Sequence, residues 1–179
     1  IVATVTASAV AVTGVGAVGV DEFRSSQTEA IELAQGSLSD AQERIDEAAA
    51  RIADLELAIS NAQDILDGSE GKTLDEQARE DLDKEIAAAQ KTLKQEKEQL
   101  FSLKQTVRTL AALDINGFFW PGNVKDTATE VSSAEGADTT KIITKVSGLG
   151  DRIKAVQSAQ AAWQAEQDRI AAEAAAEAA

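Results

Sequence analysis

The sequence contains no histidine and no cysteine, and among its 179 residues there are one proline, two tryptophans, four phenylalanines and no tyrosine. Without His or Cys, the chain lacks an imidazole for acid–base catalysis, a thiol nucleophile, a disulfide and a Cys/His zinc site. Its 17 Lys and Arg are outnumbered by 31 Asp and Glu, which gives a formal net charge of −14. Because phosphate binding requires a basic footprint, this excess of acid argues against a nucleic-acid partner.

Charged side chains are missing altogether from residues 1–20, which are Ile, Val, Ala, Thr, Ser and Gly only. Twenty residues in a helix extend about 30 Å, the thickness of the bilayer hydrocarbon. We predict a single transmembrane anchor here; the alternatives are the remnant of a signal peptide and a buried element of a soluble fold. Small residues at short intervals would form the face on which another membrane helix packs, namely Ala3, Ala7, Ala11, Gly14, Gly16 and Gly19.

The three glycines of this segment also match the G-x-G-x-x-G spacing of a dinucleotide-binding turn. That fold requires a strand, a turn, a helix and a second strand within about 30 residues, whereas this sequence runs directly into helical heptads. The stretch "GSEGKT" resembles the end of a phosphate-binding loop, but Leu66 stands where the first glycine of that loop is required. We therefore predict no nucleotide, no other cofactor and no metal site.

Apolar residues recur in a heptad pattern from about residue 31 to residue 110, interrupted only by the turn-forming stretch 68–72. This a/d pattern is typical of a coiled-coil seam, and a short connection favours antiparallel neighbours. We predict an antiparallel coiled-coil hairpin over 21–113 with its turn near 68–72, the second helix starting at a Thr73–Glu76 capping box. The predicted seam residues are Ile31, Leu38, Ile45, Ile52, Leu55, Ile59, Leu82, Ile86, Leu93, Leu100, Leu103, Val107 and Leu110.

The register of this hairpin follows from where its turn is centred. A centre near residue 70 pairs Ile31 with Leu110 and lays the basic half of the second helix on the acidic first helix; a register shifted by one heptad also aligns the seam. The charge pattern biases orientation, since residues 21–71 hold 13 acidic and 3 basic side chains. Glu96 falls within the seam, where we interpret it as a register-setting polar residue within reach of Arg44.

Residues 114–137 contain the proline and many Gly, Asn, Ser and Thr residues, and we predict a connector loop there. A third helix is expected over 138–179, with Asp138 as its N-cap and an Ala/Glu-rich tail. In the connector, Phe118, Phe119 and Trp120 are consecutive, and the register places them near Phe23. We predict that these four aromatic residues lie at the membrane interface; the alternatives are a hydrophobic plug on the hairpin end and a partner-docking loop.

The predicted fold class is therefore all-α, with an N-terminal transmembrane helix, an antiparallel coiled-coil hairpin and a third helix. We expect a non-catalytic accessory or structural subunit of a membrane complex, or an envelope stalk. Its expected partners are the lipid bilayer and another membrane protein. The acidic flank after the anchor favours a single-pass protein of the cell membrane with its coiled coil on the extracytoplasmic side. The alternatives are the anchor and regulatory arm of a larger exported cell-wall enzyme, and self-association through the seam.

Overall fold

The computed structural model describes residues 17–113 and 119–178, and within these ranges every regular element is an α-helix. There are four: α1 (Ala17–Gly68), α2 (Glu76–Ala111), α3 (Pro121–Ser133) and α4 (Thr139–Glu177). The all-α prediction is thus confirmed, and α1 and α2 are the two arms of the predicted hairpin. Their composition explains them, because both helices are rich in Ala, Glu, Gln and Leu, which are strong helix formers.

No helix among these residues combines the length and the apolar character needed to cross a bilayer. The predicted transmembrane helix is therefore not part of the fold that the structure describes. Of the predicted anchor, residues 1–16 lie outside the described residues, and with them Ala3, Ala7, Ala11, Gly14 and Gly16. Gly19 lies in the first turn of α1.

The chain forms two compact units, each of which contains part of α1, part of α2 and one further helix. The first, here called the α3 unit, comprises Ile1–Asp46 and Gln99–Gly136. The second, the α4 unit, comprises Glu47–Glu98 and Ala137–Ala179. Because each unit adds a third helix to the two arms, each has an apolar core that is closed by three helices rather than two.

The predicted seam residues line these cores. Nine of the thirteen are buried, and Ile31, Leu38, Leu93 and Val107 are half-buried. The alanines that alternate with them are also buried, at positions 34, 41, 48 and 62. Large and small side chains therefore share the interior at heptad spacing, as a closely packed helical core requires.

The turn of the hairpin differs from the prediction. Asp75 rather than Thr73 caps α2, because Oδ1 of Asp75 accepts a hydrogen bond from the backbone N–H of Ala78 at 3.2 Å. The hydroxyl of Thr73 is buried and makes no hydrogen bond within the described part of the chain. Gly71 adopts a φ of 64°, a left-handed conformation that the lack of a Cβ makes inexpensive. The predicted capping box is therefore wrong, and α2 begins later than expected.

This later start accompanies a change of register in the α4 unit. Arg79 Nε donates to Ser69 Oγ at 3.0 Å, and Lys97 forms an ion pair with Glu56. Pairing Ile31 with Leu110 would place Lys97 opposite residue 44, some 18 Å along the helix axis from Glu56 at ~1.5 Å per residue. The register shifted by one heptad accommodates both contacts. The centred register is therefore wrong for this unit.

The predicted connector loop contains a helix, α3, which begins at Pro121 and is followed by an extended residue at Ala134. Proline suits the first position of a helix, because its missing N–H would have had no intrahelical partner there. The buried side of α3 consists of Pro121, Val124, Ala128 and Val131, a 3- to 4-residue spacing. Thr, Ser, Gly and Asn make up most of the rest of the helix, which is why this stretch is predicted as a loop.

Candidate functional site

The aromatic cluster of the α3 unit consists of Phe23 in α1 and of Phe119 and Trp120, which directly precede α3. The ring of Trp120 packs edge-on against Phe23, with ring centroids 6.2 Å apart and planes at 87°. Quadrupoles of aromatic rings favour this T-shaped arrangement. The predicted proximity of Phe23 and Trp120 is thus confirmed, while Phe118 lies outside the described residues.

The neighbouring aromatic residue, Phe119, faces the interior. Its side chain is half-buried and packs against the core of the α3 unit. Its backbone oxygen accepts a hydrogen bond from the Gln27 side-chain amide at 3.3 Å. Trp120, in contrast, is 67% exposed. The two neighbouring aromatic residues therefore have different roles. Phe119 attaches the start of α3 to the core of the unit, and Trp120 exposes a large amphipathic ring at the surface.

Polar contacts hold α3 beneath this cluster. Lys125 Nζ lies 2.8 Å from Glu29 Oε2, and the hydrogen bond between them lowers the pKa of the Glu29 carboxyl. The hydroxyls of Ser37 and Ser132 are 2.8 Å apart. Past the end of α3, the Arg44 guanidinium donates to the backbone oxygen of Ala134. Arg44 thus satisfies a carbonyl at the helix end, where positive charge is favourable.

Glu96, which the sequence places in the seam, is fully buried. One carboxylate oxygen accepts a hydrogen bond from the backbone N–H of Asp138 at 2.6 Å, and the other lies 3.4 Å from Lys141 Nζ. Asp138 itself caps α4 by accepting from the backbone N–H of Lys141. Glu96 and Asp138 together satisfy two N–H groups at the start of α4, so Glu96 is a positioning residue for this helix. The prediction of Asp138 as N-cap is confirmed.

Two ion pairs continue this contact along α4. Lys145 Nζ lies 3.0 Å from Glu85 Oε1, and Arg152 lies 3.1 Å from Asp81. Gly148 lies directly beneath Glu85, since a Cβ at that position would approach the Glu85 carboxylate to 3.1 Å. Gly148 therefore provides close approach between α4 and α2.

On its other side, the α4 unit has an open groove of about 790 Å³ between α1 and α4. Its apolar surface includes Leu57 and Ile143, which are 73% and 49% exposed. Arg51 and Asp54, 3.6 Å apart, line the groove together with Asn61 and Asp64. The sequence gives no signal for this groove, because neither Leu57 nor Ile143 is among the predicted seam residues.

These sites offer apolar contact, hydrogen bonds and ion pairs. Within the described ranges, no group of three or more Asp and Glu is arranged to hold a metal ion. Glu96 has no second carboxylate recorded as a hydrogen-bonding partner; its contacts are one backbone N–H and one lysine. Imidazole and thiol chemistry is excluded by composition.

Comparison with known proteins yields no relative: no protein-family model matches the chain, and neither a curated protein nor a solved structure shows significant similarity to it.

Proposed function

We propose that this chain is a non-catalytic, membrane-anchored helical module that acts as an accessory subunit of a membrane complex or as an envelope stalk. The observation that carries the proposal is the contact between Phe23 and Trp120. It places a mostly exposed tryptophan beside a residue that follows the uncharged segment 1–20 by only three positions. Tryptophan is enriched at the boundary between lipid and water, where its ring meets hydrocarbon and its N–H meets polar groups.

The chemistry of the molecule supports a role in interaction rather than catalysis. Two of the common catalytic side chains are absent from the sequence, and the fully buried Glu96 is used to hold the start of α4. The aromatic cluster, in contrast, is attached to α1 by Gln27 and to the core by Phe119. An aromatic ring whose neighbour is attached to the fold in this way is well suited to fix the height of a domain above a membrane.

The test is fluorescence quenching in vesicles by lipids with bromine atoms on their acyl chains. The chain of 179 residues is reconstituted as Trp163→Phe, so that Trp120 is the only tryptophan. We expect strong quenching and a blue-shifted emission, because the ring would sit near the acyl chains. The matched control is Trp120→Phe, which leaves only Trp163 in α4; its emission should be quenched much less.

Two results would contradict the proposal. If the chain fails to sediment with vesicles, it is not membrane-anchored. If it sediments but Trp120 is quenched no more than Trp163, the aromatic cluster does not contact lipid. Deletion of residues 1–20 should release the chain from vesicles, since the anchor is assigned to that segment.

A further inference from the structure

We infer that the α3 unit carries two complementary surface stripes through which one copy of this chain binds a second copy. The basic stripe lies on α2 and consists of Phe101, Lys104 and Arg108. The acidic stripe lies on α1 and consists of Glu22, Glu32 and Leu33. Each stripe has one exposed apolar side chain and charges of a single sign, and the two signs are opposite.

The basic stripe is on the side of α2 that faces away from the core. Leu103 and Leu110 point inward and are nearly fully buried, whereas Phe101 is 61% exposed. Residues spaced by three and seven positions lie on one side of a helix, so Lys104 and Arg108 both follow the Phe101 ring along a single line. Neither lysine nor arginine of this stripe takes part in an ion pair recorded among residues 17–113 and 119–178.

In the acidic stripe, Glu22 and Leu33 are eleven positions apart and therefore lie on one side of α1, and Glu32 borders that side. Leu33 is 42% exposed although Ala30 and Ala34 on the same helix are buried. Glu22 and Glu32 are exposed, and neither joins an ion pair in the described part of the chain. Gly36 follows Leu33 by three residues, and a Cβ there would meet no atom within 4 Å. A bulky ring such as that of Phe101 therefore has room beside Leu33.

The two stripes fit each other in one register. If α2 of one copy runs antiparallel to α1 of its neighbour with Phe101 on Leu33, Lys104 lies at the axial level of residue 30, two residues or about 3 Å along the axis from Glu32. Arg108 then lies opposite residue 26, one helical turn from Glu22. At ~1.5 Å per residue and with side chains several ångströms long, both charge pairs are within reach.

This contact is heterologous, because the two copies contribute different surfaces. The first copy retains a free acidic stripe and the second a free basic stripe, so assembly continues in a row or closes into a ring. The area of one stripe is small compared with the roughly 1,200–2,000 Å² of a stable interface, so the association should be weak and concentration-dependent. The proposal concerns only the α3 unit and stands whether or not residues 1–20 anchor the chain.

The decisive experiment is complementation between two charge-reversed variants, measured by sedimentation velocity of the 179-residue chain in an uncharged detergent at low ionic strength. Lys104→Glu with Arg108→Glu makes both stripes acidic; Glu22→Lys with Glu32→Lys makes both basic. We expect each variant alone to associate at least about tenfold more weakly than the original chain, since like charges then face each other. An equimolar mixture should recover association, because each acidic stripe finds a basic one.

The matched control is Lys91→Glu with Lys94→Glu, which changes the net charge equally but lies on α2 within the other unit. It should associate like the original chain, and circular dichroism should show unchanged helix content in every variant. Phe101→Ser should weaken association without changing its salt dependence. The inference is overturned if the original chain stays monomeric at the highest concentration, if the mixture fails to associate, or if the control loses association equally.

Discussion

The α3 unit and the α4 unit differ in the contacts that hold their third helix. Each must fix a third helix against the two arms of the hairpin, but α3 has 13 residues and α4 has 39. The short helix is held by a proline at its start, small buried side chains, the contact between the Ser37 and Ser132 hydroxyls and one exposed ion pair. The long one is held by large apolar side chains, a buried carboxylate and two ion pairs across to α2.

This difference shows how strongly each set of contacts specifies the axial position of the third helix. Alanine and serine surfaces allow helices to approach closely but do not by themselves select one axial position. Charged pairs and a capped helix start do, because they require particular atoms to meet. We therefore expect α4 to depend on individual polar residues, and α3 to depend mainly on packing.

The largest expected effect comes from the apolar contacts. Leu149→Ala in α4 removes a fully buried side chain and should lower the free energy of unfolding by about 3 kcal/mol, through lost transfer energy and a cavity. Val131→Ala in α3 removes less and should cost about 2 kcal/mol. Urea unfolding followed by circular dichroism measures both. A smaller loss for Leu149→Ala than for Val131→Ala would reverse the ranking of the two units.

Glu96→Ala comes next and tests the polar attachment of α4. It leaves the backbone N–H of Asp138 without its carboxylate acceptor, and we expect a loss of about 2 kcal/mol. Glu96→Gln keeps an acceptor oxygen and should cost about half as much. Amide hydrogen exchange should show faster opening at the start of α4. Glu98→Ala, at an exposed position, is the control and should cost less than about 0.5 kcal/mol.

Glycine replacements give a smaller effect of the opposite sign. Gly36→Ala in α1 and Gly150→Ala in α4 add a Cβ where nothing lies within 4 Å, so each should stabilise the chain by about 0.5–1 kcal/mol through helix propensity. Gly148→Ala meets the Glu85 carboxylate and should gain less. Thermal unfolding of the three variants orders them. A gain at Gly148 equal to that at Gly150 would mean that Glu85 moves aside without cost.

The smallest effect is the pH dependence of the exposed pair that holds α3. The hydrogen bond from Lys125 lowers the pKa of Glu29 in the folded chain. The pair therefore contributes stability above the pKa of Glu29 in the unfolded chain, and this contribution disappears as the pH falls through the folded pKa. Lys125→Gln should return the Glu29 pKa toward its ordinary value, as measured by carboxyl carbon NMR. Glu166, whose pKa is lowered by Arg169, should not respond and serves as the internal control.

Heptad spacing was sufficient to predict α1, α2 and the burial of the seam, because burial on a helix depends on which residues share one side. The capping preference of aspartate was sufficient to predict the start of α4, since Asp138 caps the helix through a local contact with Lys141. Heptad spacing failed for α3, whose Thr, Ser and Gly residues have weak helical preference and form a helix only because Val124, Ala128 and Val131 find a core.

The sequence by itself thus determines the net charge, the lack of His and Cys, and the periodicity that forms the helices. Contacts between distant residues determine the rest. The register of the α4 unit depends on the pair of Lys97 with Glu56, which are 41 positions apart in the sequence. The attachment of α4 depends on Glu96 and Asp138, 42 positions apart, and the aromatic contact joins Phe23 to Trp120 across 97 positions. Several registers and partners satisfy the same heptad pattern, and only the packed structure selects one.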